Sequence, residues 1–159
     1  MKLSLRGEYA LRALIVLAFD FMDHTSVLSI QEISRRQNIP KRFLEQILHD
    51  LKSAGIVESR RGVAGGYRLR RPPDRVTLAE VIRYIEGPLA PVSCVSERYY
   101  EKCSCPDEQN CGIRSVMKEV REAIVRILEG VTFAQLCERV RKLQGQHENP
   151  LDYVICSSA

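Results

Sequence analysis

Four of the six cysteines in this 159-residue chain lie within the eighteen residues from Cys94 to Cys111. Cys103 and Cys105 stand between those two, so the spacing is C-x8-C-x-C-x5-C. Thiolates are soft ligands for zinc and for iron-sulfur clusters, and paired thiols can also interconvert with disulfides. The loop of residues 88–112, called here the cysteine loop, therefore holds the groups with the clearest capacity for chemistry.

Three kinds of chemistry fit this spacing. We favour an iron-sulfur cluster, of the 2Fe-2S type before the 4Fe-4S type, because a flexible loop can gather thiolates around it. Cys94, Cys105 and Cys111 would supply three ligands, with Cys103 as an alternate ligand or a resolving thiol. A thiol-disulfide switch without metal ranks second. Structural zinc ranks third, because zinc sites typically use paired C-x2-4-C knuckles and neither pair here fits well.

The charge of the chain is divided unevenly between its two halves. Residues 1–75 hold fourteen Lys and Arg against eight Asp and Glu, whereas residues 76–159 hold ten against twelve. A basic first half favours a polyanion as its partner. With 45% hydrophobic residues, the chain can also build a sizeable core.

The apolar run of residues 11–21 is neither a signal peptide nor a membrane span. Arg12 and Asp20 interrupt it, no small-residue cleavage site follows, and no stretch reaches the ~20 apolar residues that a bilayer requires. We therefore expect a cytoplasmic protein whose clustered cysteines stay reduced. The three histidines are scattered and no nucleophile stands beside a base, so we do not expect an enzyme.

Helix signals predict a DNA-binding head within residues 1–87. An amphipathic helix covers residues 5–22, and a capping box formed by Ser29 and Glu32 starts a second, short helix. Pro40 suits the first turn of a third helix, because its missing N–H costs nothing there. The short turn between the second and third helices is typical of a helix-turn-helix.

A wing is predicted directly after this third helix. Two short β-like runs flank a basic, glycine-rich tip that reads RRGVAGG. Glycines let the backbone approach a groove closely, and an arginine there could enter a narrow minor groove, where negative potential is enhanced. The predicted DNA contacts are Ser29, Lys41, Arg42, Glu45, Gln46, Arg60, Arg61 and Gly65.

A long amphipathic helix is predicted after the cysteine loop. Its apolar positions recur three and four residues apart over five turns, at Ile113, Val116, Met117, Val120, Ile124, Ile127, Leu128 and Val131. A helix of about 18 residues spans ~27 Å, and a stripe that long exceeds what the head can easily cover. We therefore expect the stripe to pair with a second copy of the chain.

The chain closes with a short helix and a tail. A capping box at Thr132 and Gln135 starts the final helix of the dimerisation segment, residues 113–145. Cys137 lies inside that helix and is expected to be a small buried side chain. Residues 146–159 are polar, carry Cys156, and are expected to form a flexible tail.

With these features assembled, residues 1–142 resemble the winged-helix transcriptional regulators of the IscR and NsrR type, the Rrf2 superfamily. The resemblance is carried by the opening MKLSLRGEYALRAL, by FLEQIL in the third helix, by RRGVAGGYRL in the wing and by CPDEQNC before the long helix. It implies a mainly α fold with a small β-hairpin wing and a long dimerisation helix. It also implies a homodimer that binds near-palindromic promoter DNA.

The resemblance implies roles for single residues as well. In the members that carry an iron-sulfur cluster, three cysteines after the winged domain hold it, and Cys94, Cys105 and Cys111 match them in that order. Glu45 and Arg61 match positions that read bases, in the second helix of the motif and in the minor groove through the wing.

Two departures from the family pattern concern the cluster. In one branch a histidine three residues after the last cysteine completes the site, whereas this chain has Arg114 there, which cannot ligate. The first two matched cysteines are also further apart, with Cys103 inserted between them. In other branches an acidic residue from the first helix of the partner subunit fills the fourth place, and Glu8 stands at that position.

Two other functions remain open from the sequence. A cluster-free regulator of the same fold would use the cysteines as a thiol switch. A metal-binding scaffold would use the basic wing to meet an acidic protein, and it would lack the steep salt dependence of duplex binding.

Overall fold

The computed structural model describes residues 3–23 and 27–145, and over this part of the chain it has six α-helices and one two-stranded antiparallel sheet. The helices are α1 (Leu5–Asp23), α2 (Ile30–Gln37), α3 (Lys41–Ser53), α4 (Leu78–Glu86), α5 (Gly112–Glu129) and α6 (Phe133–Gln144). The strands are β1 (Val57–Arg60) and β2 (Gly66–Leu69). The mainly α fold with a hairpin is as predicted, while the predicted tail with Cys156 lies outside the described residues.

Helix α1 is the centre of the core. Its apolar run is buried without a break from Ala13 to Ala18, because α1 packs against β2, α3, α4 and α6 and so is covered on several sides. Burying each large apolar side chain contributes about 1.5–3 kcal/mol. None of the described helices has the length and apolar character needed to span a bilayer.

The predicted capping box of α2 is half formed. The hydroxyl of Ser29 accepts a hydrogen bond from the backbone N–H of Glu32 at 3.2 Å, which satisfies one free donor of the helix. The carboxylate of Glu32 turns the other way, to Arg35 at 2.9 Å and Arg36 at 2.6 Å. These two arginines hold the pKa of Glu32 down at about 2.

The third helix begins at Lys41, directly after Pro40. Pro40 is its N-cap, with an extended ψ of 131°, so its missing N–H costs the helix nothing. Gly55, with φ at 71°, takes the left-handed conformation just after α3, which favours glycine. The order of α2, turn and α3 confirms the predicted helix-turn-helix.

The hairpin forms as predicted and is attached to the helix-turn-helix. Its register pairs Val57 with Leu69 and Arg60 with Gly66. Tyr67 of β2 also exchanges two backbone hydrogen bonds with Leu28, at 2.9 and 2.8 Å, immediately before α2. The wing is therefore tied to the start of the motif by main-chain contacts.

The apolar stripe of α5 is divided between two environments. Its C-terminal part packs against α4 of the same chain, through Ile124, Val125 and Leu128 on Ala79, Ile82 and Leu89. The expectation that the whole stripe faces a second copy is therefore wrong for this part. Ile113, Val116, Val120 and Ile127 remain exposed. Arg121 of α5 is buried and paired with Glu97.

Helix α6 closes the fold against α1. Its capping box is complete, since the Thr132 hydroxyl accepts from the backbone N–H of Gln135 and the Gln135 side chain accepts from the backbone N–H of Thr132. Phe133 is fully buried, and so is Cys137, as predicted. Burial raises the pKa of the Cys137 thiol to about 11, which keeps it protonated and unreactive.

Candidate functional site

The cysteine loop is folded back on itself between α4 and α5. It begins in a short 3-10 turn, Ser93–Val95, where Cys94 is buried. The backbone N–H of Glu101 donates to the carbonyl of Ser93 at 3.4 Å, which returns the chain to the start of the loop. The Tyr100 hydroxyl donates to the Glu108 carboxylate at 2.7 Å, across the loop.

Four free thiols lie in this loop, with Cys94 buried and Cys103, Cys105 and Cys111 half-buried. Arg114 joins the first and the last of them, because its side chain donates to the carbonyl of Cys94 and its backbone N–H donates to the sulfur of Cys111. Cys103 and Cys105 lie on the segment between these two residues, and whether the four cysteines act as ligands stays a prediction.

Three of the four thiols have shifted pKa values. Hydrogen bonds to Cys103 and Cys111 raise the pKa of Cys105 to about 11. Burial, and then the neighbouring Cys103, raises the pKa of Cys94. The pKa of Cys103 is lowered, mainly because the backbone N–H of Cys105 donates to its sulfur.

Arg114 clasps the two ends of the loop together. Its Nε donates to the carbonyl of Cys94 at 3.2 Å and lies 3.3 Å from the Glu108 carboxylate. Cys111 is the N-cap of α5, and its sulfur accepts a hydrogen bond from the Arg114 backbone N–H at 3.4 Å. The positive end of the α5 dipole therefore faces the thiols and favours an anionic centre there.

The four cysteines supply soft thiolate ligands of the kind that iron-sulfur clusters and zinc accept. Within residues 3–23 and 27–145, no three His, Cys, Asp or Glu side chains are arranged to hold one metal ion. The spacing of the cysteines also lacks the paired knuckles that are typical of structural zinc.

Glu8 is not part of the cysteine loop of its own chain. It lies in the first turn of α1, exposed, and its carboxylate is 3.2 Å from Arg12 one turn later. Arg12 is itself fixed, because it also donates to the backbone carbonyl and the side chain of Gln37. Glu8 would reach a cluster only across a subunit interface.

The loop packs loosely against the head. A cleft of about 400 Å³ lies between α4 and residues 96–99, lined among others by Tyr84, Tyr99 and Arg121. An ion pair between the buried Arg121 and the exposed Glu97 joins α5 to the loop across this cleft.

The predicted DNA-contacting residues of α3 lie together on one exposed surface. Lys41, Arg42, Glu45 and Gln46 are all exposed at its N-terminal end. Arg42 stacks over Phe43 with 5.0 Å to the ring centre, and Gln46 donates to Asp50 at 3.1 Å. In the described part of the chain, no ion pair engages Lys41, Arg42 or Glu45, which leaves them available to a ligand.

The wing carries a second group of exposed basic side chains. Arg60 and Arg61 are exposed and have no ion-pair partner among the described residues. Glycine is required at position 65 for a structural reason, because a Cβ there would lie 2.4 Å from the Arg60 carbonyl oxygen. Ser29 is half-buried at the start of α2. Glycine at position 65 is thus needed to close the hairpin, whatever the wing contacts.

Sequence reasoning missed several residues of these surfaces. Val63 at the wing tip is fully exposed, which is unusual for an apolar side chain. The clasp formed by Tyr100, Glu108 and Arg114 was also missed. Its first and last members are fourteen residues apart in the sequence, and the three follow no periodic pattern. Only Arg114 could be singled out from the sequence, because it stands three residues after Cys111.

Known proteins resemble the chain over nearly its whole length. The Rrf2 family, described as iron-dependent transcriptional regulators, matches residues 3–139. An rrf2-like HTH-type transcriptional regulator of Rhodobacter capsulatus is 43% identical over 131 residues, which cover 81% of this chain and 87% of the relative.

Solved structures agree with this match. CymR, the global cysteine regulator of B. subtilis, superposes with a TM-score of 0.74 at 30% identity, over 87% of this chain and 98% of its own. IscR of T. potens superposes with a TM-score of 0.71 at 28% identity, over 91% of each chain. These relatives are regulators rather than scaffolds, and they share the helix-turn-helix and wing described above. The chain therefore belongs to the Rrf2 family and is a helix-turn-helix transcriptional regulator.

Proposed function

We propose that this regulator is a homodimer that binds near-palindromic promoter DNA and whose affinity for DNA depends on an iron-sulfur cluster in the cysteine loop. The observation that carries the proposal is the position of the cysteines between the DNA-binding head and the exposed apolar residues of α5: Cys111 caps α5, and Arg114 joins its first turn to Cys94. Cys94, Cys105 and Cys111 would be ligands.

The DNA-binding part of the proposal is supported by the unpaired charges of the head. Lys41 and Arg42 are exposed on α3, and Arg60 and Arg61 are exposed on the hairpin. The bridge between Leu28 and Tyr67 joins this hairpin to the start of α2. An α-helix such as α3 fits into the major groove of DNA, and an arginine on the wing can enter a narrow minor groove. Glu45 and Gln46 carry the groups that read cytosine and adenine edges.

The dimer is supported by the N-terminal part of α5. Three apolar side chains, Ile113, Val116 and Val120, are exposed on successive turns of one helix. Such a stripe on a soluble chain indicates an interface. A two-fold axis through it would present two heads to half-sites about one helical turn, ~34 Å, apart on the duplex.

The residues of the loop would act as the link between centre and head. A bound cluster would supply a redox-sensitive group that is lost or altered under an inducing condition. Cys111 and Arg114 tie the thiols to the first turn of α5, and Arg121 with Glu97 ties the next turns to the loop. Release of the thiols would loosen these contacts, shift α5 and change the spacing of the two heads.

Anaerobic purification tests the proposal. We expect coloured protein with iron and acid-labile sulfide, absorption bands of thiolate-bound iron, and duplex binding that weakens steeply with salt. Cys94→Ser, Cys105→Ser and Cys111→Ser should each lower iron content and change DNA affinity. Cys137→Ala, in the core, is the matched control. Colourless, iron-free protein whose DNA affinity ignores the three substitutions would reject the proposal.

A metal-free thiol switch is the second candidate, because the loop holds four free thiols, three of them half-buried. A disulfide between two of them would form with loss of the two thiol hydrogens to a peroxide, which is reduced to water. Iron-free protein whose DNA affinity responds to peroxide and recovers with dithiothreitol would favour this mechanism.

A further inference from the structure

The cleft between α4, α5 and the cysteine loop has the size of a small-molecule site. Its volume of about 400 Å³ lies within the ~300–1,000 Å³ that ligand pockets typically occupy. Ile56, Leu89 and Val125 form an apolar part of its wall. Ala54 and Ile56 also place the segment that joins α3 to the wing at this wall. A molecule bound here would therefore touch the cysteine loop and the DNA-binding head at once.

The charges of the cleft favour an anion. Its lining includes Arg83, Arg98, Arg121, Glu80 and Glu97. Two of these are engaged by residues outside the lining, since Arg83 pairs with Glu129 at 2.6 Å and Glu80 pairs with Arg71. Arg98 is exposed and forms no ion pair within the described residues. The charges that remain are two guanidinium groups against the single carboxylate of Glu97.

The ion pair between Arg121 and Glu97 is unequal. The Arg121 side chain is 10% exposed, whereas the Glu97 side chain is 74% exposed. A buried guanidinium needs an anionic partner, because an uncompensated charge is costly away from water. Glu97 can return to solvent, so another carboxylate can take its place on Arg121. The planar guanidinium fork matches a carboxylate well.

Two tyrosines provide a place for a flat apolar body. Tyr84 on α4 and Tyr99 on the loop line the cleft and are 46% and 61% exposed. The buried Ser96 fixes the turn that carries Glu97 and Tyr99, because its hydroxyl accepts from the Tyr99 backbone N–H at 3.1 Å. Aromatic side chains pack favourably against other rings. The cleft thus places ring faces and a carboxylate-binding group within one cavity.

We propose that this cleft is an effector site for a small aromatic carboxylate, which replaces Glu97 on Arg121 and packs its ring against the tyrosines. Glu97 then returns to solvent, and the loop loses this ion pair with α5. Occupancy changes the affinity for DNA, because the ligand also contacts the segment between α3 and the wing. The inference goes beyond the proposed function, since it uses none of the cysteines and needs no bound cluster.

Calorimetry on the full-length, DNA-free protein tests the binding. Benzoate, phenylacetate and cinnamate are titrated beside their neutral amides. We expect saturable binding of at least one acid, one molecule per chain, with a Kd below about 1 mM. The matching amide should bind about tenfold more weakly or worse, because it cannot replace the charge of Glu97 on Arg121. Binding by none of the acids, or equal binding of acid and amide, would overturn the inference.

Glu97→Gln gives a result that a site elsewhere on the protein does not predict. The variant removes the competing carboxylate, so the acid should bind about threefold more tightly or better. Glu101→Gln removes the same charge from an exposed position of the loop outside the cleft and should leave the affinity unchanged. Tyr84→Ala, on α4, tests the ring contact even if Glu97→Gln disturbs the loop, and it should weaken binding about threefold. Unchanged affinity in both Glu97→Gln and Tyr84→Ala would place the ligand elsewhere.

The effector role is measured by DNA anisotropy with and without saturating acid. We expect the affinity of the wild-type protein for its operator to shift about threefold or more, and the Tyr84→Ala variant to need more acid for the same shift. An acid that binds in the cleft without any shift would overturn the effector role. Iron-free protein that still binds the acid rejects the proposed cluster alone, whereas cluster-loaded protein that ignores the acids rejects this inference alone.

Discussion

The arginines of the head are of two kinds: some form ion pairs within the fold, and others are exposed and available to DNA. Arg35 and Arg36 are engaged by Glu32, and Arg68 by Glu58, so these basic residues act mainly within the fold. Arg61 has no such partner in the described part of the chain, and it lies at the exposed tip of the wing.

Arg61→Ala should therefore weaken DNA binding without unfolding the head. We expect a lower affinity at every salt concentration and a salt slope reduced by about one, because one phosphate-region contact is lost. Fluorescence anisotropy over a salt series measures both quantities. Arg75→Ala removes an equally exposed arginine from the turn after the wing and should leave affinity and slope unchanged.

Glu45→Ala should act on sequence preference rather than on overall affinity. A side chain that accepts from a base edge contributes about 1–3 kcal/mol of discrimination at one base pair. We expect the variant to bind the preferred site and a site changed at a single position with similar affinity. Competition binding against a set of single-base operator variants measures this, and retained discrimination at every position would contradict the assignment.

Glu32 should make the stability of the head depend on pH. Its pKa in the fold is about 2, lowered from 4.5 by Arg35 and Arg36. A depressed pKa means that this contribution is fully present above about pH 4.5 and is lost as the pH falls toward 2. Glu32→Gln should cost less than about 1 kcal/mol at pH 7, since the pair is partly exposed. Urea unfolding at pH 7 and pH 3 should show the difference shrinking.

Among the elements, the wing depends most on a close backbone approach. A Cβ at Gly66 would lie 2.3 Å from the carbonyl oxygen of Leu28, which is backbone and is held by Tyr67. Neither side can yield without breaking the contact that joins the wing to α2.

Gly66→Ala should therefore detach or displace the wing. We expect a lower melting temperature and at least a tenfold loss of DNA affinity, roughly the effect of 1.4 kcal/mol, with the cysteine loop unaffected. Gly112→Ala is the matched control, because a Cβ there meets nothing within 4 Å. Thermal unfolding and anisotropy measure the two effects, and equal behaviour of the two variants would contradict the close approach.

The elements also show what a sequence can and cannot specify. Helix ends were predictable because Ser29, Thr132 and Gly55 act on their immediate neighbours, and caps and left-handed turns are local chemistry. The missing hydrogen bond from the Ser29 backbone to the Glu32 carboxylate was not predictable. Arg35 and Arg36 bind that carboxylate instead, and the capping-box motif does not take such neighbours into account. The fold of the cysteine loop depends on contacts such as Glu101 to Ser93, which have no sequence signature.

At the scale of the whole molecule, α5 serves two surfaces at once. Its C-terminal part is fixed to α4 by Ile124 and Leu128, whereas its N-terminal part carries the thiol-linked Cys111 and the exposed Val116 and Val120. The periodic pattern in the sequence could not separate these parts, because burial against one's own chain and burial against a partner both select apolar residues at the same spacing. The proposed signal would start where α5 is held by the loop and end where it is held by the head.

This arrangement predicts that dimerisation and operator binding fail together. Val116→Asp combined with Val120→Asp would bury unpaired carboxylates in the proposed interface, at a cost of several kcal/mol. Multi-angle light scattering should then show a monomer, and binding to a full operator should fall to the affinity of a single half-site. Lys118→Asp puts a carboxylate on the opposite side of the helix and should leave both properties intact. A dimer that survives the double substitution would mean that the exposed stripe of α5 is not where two chains meet.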